Sequence, residues 1–417
     1  GKSLDFQTVP CTGIHTILSK YEKETDKAMK PMETMKRVNG GVCAVRGVHA
    51  YGIKEGKLGL AVITGSGESA GVFTKNRFIA APMILTGSNL RENHRLDSVI
   101  VNSGCANAFT MERGLADAKS MAELAAERLN LKTDAIGVAS TGVIGVPLDL
   151  DWIADRIDSV VAGLSDTPAA SGAAARAIMT TDTYPKEFAV ELRSGVRIGG
   201  IAKGSGMIAP DMATMLAFIY TDADLPHETL DSCLKQAVNR SFNMIVVDGD
   251  TSTNDMVLLT ATAAAGDEPD EEAFQEGLNR VCTELAKMIA RDGEGAEKLI
   301  EVRVTGAGTE ADAKAVAKAI VKSPLVKTAV HGCDPNWGRV IAAVGYSGAA
   351  VEPDRISLAL CETTVVDCGT VVDCALVDMS GDEIKIAVDL GIGKGEATAW
   401  GCDLTCGYVK INADYTS

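Results

Sequence analysis

Apolar residues recur at helical spacing in several stretches of the chain. Within residues 111–130, Leu115, Ala118, Met121 and Ala125 follow the three- and four-residue steps that place side chains on one face of a helix. On such patterns we expect helices over residues 111–130, 149–164, 227–240, 270–291 and 311–322. The polar residues between the apolar ones predict that these helices are amphipathic and pack one face inward.

Short apolar or alternating runs, bounded by glycine, serine or proline, predict β-strands. We expect strands over residues 58–63, 71–74, 188–192, 196–198, 214–220, 299–304, 325–330, 356–360, 384–388 and 402–411. Ser194 and Gly195 favour a hairpin between the third and fourth of these, and after residue 299 only the helix over 311–322 is expected to interrupt the strands. Since helices and strands do not alternate regularly, the predicted fold is α+β, with mixed or antiparallel β-sheets covered by helices.

Length and charge narrow the function. A chain of 417 residues with 46% hydrophobic content has material for two lobes. Its net charge of −16, without a dense basic run, argues against nucleic-acid binding, and no apolar stretch is long enough for a membrane span. We therefore expect small-molecule substrates.

The eleven cysteines are dispersed and form no zinc-ligand spacing, so reduced thiols in a cytoplasmic protein are the interpretation. Asp248, Asp250 and Asp255 resemble a calcium loop but lack its distal glutamate, which argues against a metal. Residues 1–34 mix both signs of charge without a signal- or transit-peptide pattern, and a flexible N-terminal extension is expected there.

One glycine-rich segment carries candidate chemistry. Residues 199–216 read Gly-Gly-Ile-Ala-Lys-Gly-Ser-Gly-Met-Ile-Ala-Pro-Asp-Met-Ala-Thr-Met-Leu, which predicts a contorted loop leading into a buried strand. If the Thr214 hydroxyl attacks the carbonyl of Ala213, the chain is cut and Thr214 becomes a new N-terminus. Its α-amine would then activate the hydroxyl as a nucleophile. The alternative is that Ala213 and Thr214 simply begin a strand.

Residues 203–216 resemble the cleavage segment of the ornithine acetyltransferase (glutamate N-acetyltransferase) family. Further segments resemble that family in the same order along the chain, from about residue 35 to the end: 140–145, 180–186, 247–255, 293–296, 334–339 and 411–417. The family usually has Asn where this chain has Cys105.

The resemblance implies a fold, a cleavage site and a set of site residues. It implies the family's self-processing N-terminal-threonine fold, cut between Ala213 and Thr214 into an alpha chain (35–213) and a beta chain (214–417). Thr214 would be the nucleophile, and Thr141 with Gly142 the oxyanion hole. The substrate contacts would be Thr180, Lys203, Thr214, Glu294, Asn412 and Ser417.

The resemblance also implies a ping-pong reaction in arginine biosynthesis. N-acetylornithine would acetylate Thr214, ornithine would leave, and glutamate would collect the acetyl group, without metal or organic cofactor. Some members of the family also use acetyl-CoA, and members assemble as two alpha and two beta chains. Two other functions stay open: a related self-cleaving aminopeptidase or amidohydrolase, and a non-enzymatic metabolite-binding protein with an intact chain.

Overall fold

The computed structural model describes residues 35–209, 215–266, 269–372 and 376–414. The predicted extension over residues 1–34, the cleavage pair Ala213 and Thr214, and Ser417 lie outside the described residues. The described chain divides into two compact units, a larger one of residues 35–299 and 399–414 and a smaller one of residues 300–398. The expectation of two lobes is confirmed.

The larger unit is built around one mixed β-sheet. The strands of this unit are β1 (Met35–Val38), β2 (His49–Glu55), β3 (Leu58–Phe73), β4 (Arg95–Cys105), β5 (Ile136–Val143), β6 (Lys186–Leu192), β7 (Arg197–Lys203), β8 (Leu216–Thr221), β9 (Ile245–Val246) and β10 (Met256–Ala261). Its helices are α1 (Ala81–Asn93), α2 (Met111–Leu129), α3 (Leu150–Ala162), α4 (Pro168–Ala177), α5 (His227–Arg240) and α6 (Glu271–Arg291). The sheet order is β1-β6-β7-β8-β10-β3-β4-β5, with β2 paired to β3, and β9 lies outside this sheet.

This sheet folds back on itself along β3. The pairing of β3 with β4 shifts register between Thr64 and Gly67, and a Cβ at Gly67 would lie 1.7 Å from the carbonyl oxygen of Ala261. A β-bulge built on glycine bends a strand in this way. As a result Leu258 of β10 packs against Gly137 of β5, although β3 and β4 separate their strands in the sheet order.

Helices cover the outer faces of the folded sheet. On one side α2 and α3 bury Met121 and Ile157 in a cluster with Ile100 of β4 and Val138 of β5. On the other side α6 packs on β6 and β7, and α5 packs on α6 and β3. The helices predicted from apolar spacing in this unit are confirmed to within a residue or two at each end.

The smaller unit combines its own strands and helices. Its strands are β11 (Leu299–Ala307), β12 (Ser357–Leu360), β13 (Thr363–Asp367), β14 (Thr370–Val371), β15 (Glu383–Asp389) and β16 (Gly395–Cys402). The first residue of β11 and the last four of β16 belong to the larger unit. Its helices are α7 (Glu310–Lys322), α8 (Pro324–His331) and α9 (Trp337–Tyr346), and the last helix, α10 (Cys406–Ala413), belongs to the larger unit. The α+β class predicted from the sequence is confirmed.

Two strand predictions after residue 299 are wrong, because the segments are helical. Residues 325–330 lie in α8, where the Ser323 side chain accepts from Val326 N at 3.3 Å and Pro324 takes the first turn. Residues 406–411 lie in α10, where Thr405 accepts from Tyr408 N at 3.2 Å. In both segments the capping signal decided the structure over the β-branched composition. The expectation of a single helix after residue 299 is therefore wrong as well.

Several elements were not predicted: helices α1, α4 and α9 and strands β1, β2, β4, β5, β9, β10, β13, β14 and all but the last residue of β16. The strands predicted over 58–63 and 71–74 are two parts of β3. Helix α1 lacks an amphipathic pattern because it buries polar residues. Thr86 donates to Val138 O at 2.8 Å, and Asn89 donates to Ile136 O at 3.3 Å, so β5 satisfies them.

Candidate active site

Strand β8 begins at the point where the candidate residues gather. Its first residue, Leu216, pairs with Lys203, the last residue of β7, and with Met256, the first residue of β10. Met215, just before the strand, donates its N–H to Asp255 Oδ1 at 3.0 Å.

Lys203 is a buried cation with a hydroxyl partner. Its side chain is 3% exposed, and its ammonium donates to Thr180 Oγ1 at 2.8 Å and lies 3.9 Å from Asp182 Oδ2. Burial lowers the pKa of Lys203, while the nearby charges of Asp182 and Glu294 oppose that shift. Lys203 and Thr180, which were predicted separately from the sequence, are thus a hydrogen-bonded pair.

A buried ionic cluster supports this pair. Lys186 is fully buried, and its ammonium lies 2.7 Å from Asp182 Oδ1 and 2.6 Å from Asp292 Oδ2. Burial by itself would raise the pKa of Asp182, but Lys203 and Lys186 together with Gly204 N–H hold it well below its usual range. Asp182 therefore stays ionised, as a buried carboxylate with two cations and hydrogen bonds can.

The cluster also fixes the backbone of the predicted substrate loops. Asp182 accepts from Thr180 N at 3.0 Å and from Gly204 N at 2.7 Å. Asp292 accepts from Thr183 N at 3.0 Å, and its carbonyl accepts from Ser205 Oγ at 2.6 Å. The loops that carry Thr180 and Lys203 are thereby tied to the segment that leads to Glu294.

Glu294 and Asn412 form a second pair. Asn412, on α10, donates through Nδ2 to Glu294 Oε2 at 2.8 Å. The backbone N–H of Glu294 donates to Ser205 O at 3.2 Å, which joins this residue to the glycine-rich loop. A Cβ at Gly206 would lie 2.3 Å from the Glu294 carboxyl carbon, so any other residue at this position would displace the carboxylate. Glu294 and Asn412, both predicted as substrate contacts, are therefore hydrogen-bonded to each other, and the glycine-rich loop holds Glu294 in place.

Thr141 and Gly142 lie near the end of strand β5, beside β4. Gly142 has a φ of +135°, and a Cβ there would lie 2.3 Å from the carbonyl carbon of Gly104, its partner in the register. A side chain at this position would therefore meet both a strained φ and a backbone clash. Thr141 is buried at 4% exposure, at the position that the resemblance gives to an oxyanion donor.

Lys54 was missed as a residue of this region. It donates to Ser103 Oγ at 2.8 Å and to Met179 O at 2.5 Å, next to Thr180. Burial, with repulsion from Lys203, lowers the pKa of Lys54 to about 8. Nothing in the local sequence marks this lysine, because Ser103 and Met179 come from distant segments.

The aspartates that resemble a calcium loop hold backbone amides instead. Asp248 accepts from Met207 N at 2.6 Å and from Ile208 N at 2.9 Å, which anchors the glycine-rich loop. Asp255 holds Met215, as described above. Two of the three acidic side chains therefore order the segments on either side of residues 210–214.

Six of the predicted site residues belong to the larger unit: Thr141, Gly142, Thr180, Lys203, Glu294 and Asn412. These residues supply a buried cation at Lys203, a carboxylate at Glu294 and a strand end at Gly142 that requires glycine. Such a set, on an α+β scaffold, suits an enzyme that transfers an acyl group between small charged molecules. The predicted roles of Ala213, Thr214 and Ser417, which lie outside the described residues, stay predictions.

The comparison with known proteins gives the family. The ArgJ family model matches residues 45–417. The glutamate N-acetyltransferase of Methanosarcina mazei is 56% identical over 395 residues, which cover 92% of this chain and 100% of that protein. The arginine biosynthesis bifunctional protein ArgJ of Symbiobacterium thermophilum is 51% identical over 360 residues, 83% of this chain and 89% of that protein. The chain belongs to the ArgJ family and is an acyltransferase of arginine biosynthesis.

Two solved structures are similar over slightly less than half of the chain. The arginine biosynthesis bifunctional protein ArgJ of Bacillus halodurans matches with 47% identity and a TM-score of 0.46, over 48% of this chain and 98% of that one. The ornithine acetyltransferase of Mycobacterium tuberculosis, solved in complex with ornithine, matches with 34% identity and a TM-score of 0.40, over 42% of this chain and 98% of that one. None of the helices formed by the described residues has the length and apolarity needed to cross a bilayer.

Proposed function

We propose that this protein is a glutamate N-acetyltransferase that moves an acetyl group from N-acetylornithine to glutamate through an acyl-Thr214 intermediate. The observation that carries the proposal is a pair of opposite charges, Lys203 and Glu294, beside the same glycine-rich loop. The backbone N–H of Glu294 donates to Ser205 O, two residues after Lys203, at 3.2 Å. The Lys203 ammonium donates a hydrogen bond to Thr180, and its backbone pairs with Leu216 at the start of β8. Glu294 accepts a hydrogen bond from Asn412. The name of the Methanosarcina mazei relative supports glutamate as the acceptor.

An amino-acid ligand matches these charges. The ammonium of Lys203 suits the α-carboxylate that ornithine and glutamate share, and the Thr180 hydroxyl adds a neutral hydrogen bond. The Glu294 carboxylate suits the side-chain ammonium of ornithine, and Asn412 orients that carboxylate. Ser417, at the end of the chain, would add a further polar contact.

The nucleophile would be made by cleavage between Ala213 and Thr214. The Thr214 hydroxyl attacks the Ala213 carbonyl, the peptide C–N bond breaks, and water hydrolyses the resulting ester to leave a free α-amine on Thr214. That amine accepts the hydroxyl proton when Thr214 later attacks a substrate, since its ordinary pKa lies near neutrality.

Transfer would then take two balanced steps. The Thr214 oxygen bonds to the acetyl carbonyl of N-acetylornithine, the amide C–N bond breaks, and ornithine leaves with the proton from the Thr214 ammonium. The amine of glutamate next attacks the acetyl ester, and the proton it loses returns to the Thr214 oxygen. Thr141 and Gly142 would stabilise the oxyanion in each step.

The sheet order favours fragments that stay together after cleavage. Strands β8 and β10, which follow residue 213, lie between β7 and β3, which precede it. Separation of the two fragments would break ladder hydrogen bonds on both sides of this pair of strands and expose their buried residues. The two fragments would therefore remain one folded unit, and two such units would assemble, as the family resemblance implies.

The decisive experiment is Thr214→Ala, assayed by denaturing gel and by acetyl transfer. For this variant we expect one band of uncut chain and no acetyl transfer. For the wild type we expect two bands, from fragments of nearly equal length, and active transfer. Thr370→Ala, which changes an exposed threonine of β14 in the smaller unit, is the matched control and should be cut and active.

The donor assay separates the proposal from its alternatives. Ornithine release from N-acetylornithine should continue beyond one turnover only when glutamate is present, and continued release without glutamate would identify a hydrolase instead. An intact chain that binds ornithine without turnover would identify a metabolite-binding protein. The same assay with acetyl-CoA decides whether the protein has a second donor.

A further inference from the structure

Two adjacent buried residues connect the strands that carry the site. Asn254 is 4% exposed and Asp255 is fully buried, just before β10 begins at Met256. Neighbouring side chains of an extended chain point to opposite sides. Here one side chain reaches the β4–β5 side of the fold, and the other reaches the start of β8.

Asn254 holds the segment that leads into Thr141. Its Nδ2 donates to Ser140 O at 2.9 Å and to Ala106 O at 2.6 Å, and its Oδ1 accepts from Thr253 Oγ1 at 2.6 Å. Because the Thr253 hydroxyl donates to Oδ1, the Nδ2 end of the Asn254 amide is the one that faces the two carbonyls. A single side chain therefore bridges β5 and the loop that follows β4.

Asp255 holds the residue before β8. Its Oδ1 accepts from Met215 N at 3.0 Å, and Met256 N donates to Met215 O at 3.1 Å, so both backbone polar groups of Met215 are fixed. Burial raises the pKa of Asp255 well above its usual range, which makes a neutral amide a close mimic of this side chain.

We propose that Asn254 and Asp255 are positioning residues that set the nucleophile strand at the correct separation from the oxyanion segment. Asn254 fixes the segment before Thr141, Asp255 fixes the residue after Thr214, and a single peptide bond joins the two. This inference rests on the proposed function, because the separation matters only if Thr214 and Thr141 act on the same carbonyl.

The test compares three variants with a matched control. Asn254→Asp replaces the donating amide by an oxygen that faces two carbonyls, Asp255→Ala removes the acceptor of Met215 N–H, and Asp255→Asn keeps an acceptor. Asn89→Asp is the control, since Asn89 is also a buried amide that donates to a carbonyl of β5, Ile136 O, but at the opposite end of that strand.

The readout is the first turnover of ornithine release from N-acetylornithine without glutamate. Its amplitude counts competent sites, and its rate constant reports how well the reacting groups are placed. Misplacement of reacting groups by about 1 Å costs on the order of 100-fold in rate. We therefore expect Asn254→Asp to lower the rate constant about 100-fold and Asp255→Ala about 10- to 100-fold. Asp255→Asn and Asn89→Asp should stay within about threefold, because each keeps the geometry of the site.

A loss of amplitude with an unchanged rate constant in Asn254→Asp and Asp255→Ala would overturn the inference, because that result describes a role in folding alone. If either variant folds but is cut only slowly, its rate of cleavage replaces the rate constant of ornithine release, since the same hydroxyl performs the cut, and a similar fold-decrease is expected. If Asn254→Asp does not fold, Asn254→Ser removes the amide donors without adding charge. A wild type that is neither cut nor active would reject the proposed function, whereas an active wild type with unaffected variants rejects only the positioning pair.

Discussion

Replacing Lys186 by methionine tests whether the buried ionic cluster supports the fold of the site. Lys186 is fully buried, and its ammonium lies 2.7 Å from Asp182 Oδ1 and 2.6 Å from Asp292 Oδ2. Methionine fills a similar volume but leaves two buried carboxylates without their shared cation. Removal of one partner from a buried ion pair costs about 3–5 kcal/mol, because the remaining charge is not solvated.

The expected shift in melting temperature follows from the size of the larger unit. Unfolding entropy of about 2.1 cal/mol/K per residue gives about 0.6 kcal/mol/K for a unit of roughly 280 residues. A loss of about 3–5 kcal/mol then lowers the Tm by about 5–8 °C at about pH 7. The assay is a thermal melt followed by circular dichroism or calorimetry.

Lys235→Met is the matched control. Lys235 also pairs with an aspartate four residues away, Asp231, at 2.5 Å, but its side chain is 60% exposed. Exposed pairs contribute about 0–1 kcal/mol, so this variant should melt within about 2 °C of the wild type. Both variants remove one lysine charge, and burial is what distinguishes them.

The pH dependence gives a second check on the same variant. In the wild type, Lys203 and Lys186 hold the pKa of Asp182 below its unfolded value despite burial, so its stabilising contribution is present above that unfolded value and is lost as the pH falls toward the folded one. The difference in Tm between wild type and Lys186→Met should therefore shrink as the pH falls through about 4, as the carboxyls take up protons. A Tm of Lys186→Met within about 2 °C of wild type at neutral pH, or a pH-independent difference, would refute this reasoning.

Two further predictions concern the predicted substrate loops. Gly206→Ala places a Cβ 2.3 Å from the Glu294 carboxyl carbon, and the displaced carboxylate should raise the KM for N-acetylornithine about tenfold. Gly345→Ala, whose Cβ would have no neighbour within 4 Å, is the control and should leave the KM unchanged. Equal kinetics for the two variants would contradict the proposed role of Glu294. Lys54 has a pKa lowered to about 8 by burial and by Lys203, so the ammonium that holds Met179 O is lost as the pH rises through about 8, and we expect the KM to rise there. Lys54→Arg, which keeps its charge, should move this rise to higher pH, and an unchanged KM profile would exclude Lys54 as its source.

The sequence predicted the elements whose signals are local. Apolar spacing predicted helices α2, α3, α5, α6 and α7 close to their observed bounds, because each buries one apolar face. Helices α8 and α10 were predicted wrongly as strands, since β-branched residues were weighed above the caps at Ser323 and Thr405. The α+β class needed only the order of the elements.

The sequence also predicted which side chains to look for at the site, through the ordered resemblance to one family. It did not predict which of them touch. The pairs Lys203 with Thr180 and Glu294 with Asn412 join residues 23 and 118 positions apart. No local pattern encodes such separations.

The tertiary structure alone decided what holds the site together. Lys186 and Asn254 lie in segments that resemble the family, but the sequence predicted no role for them or for Asp292. Each becomes important because burial removes water and leaves protein groups as partners. The bend of β3 brings the two halves of the sheet face to face, and this places Asn254 against β5 while Asp255 holds Met215. Local propensity determines the elements, but their relative placement follows from packing, which depends on the whole chain at once.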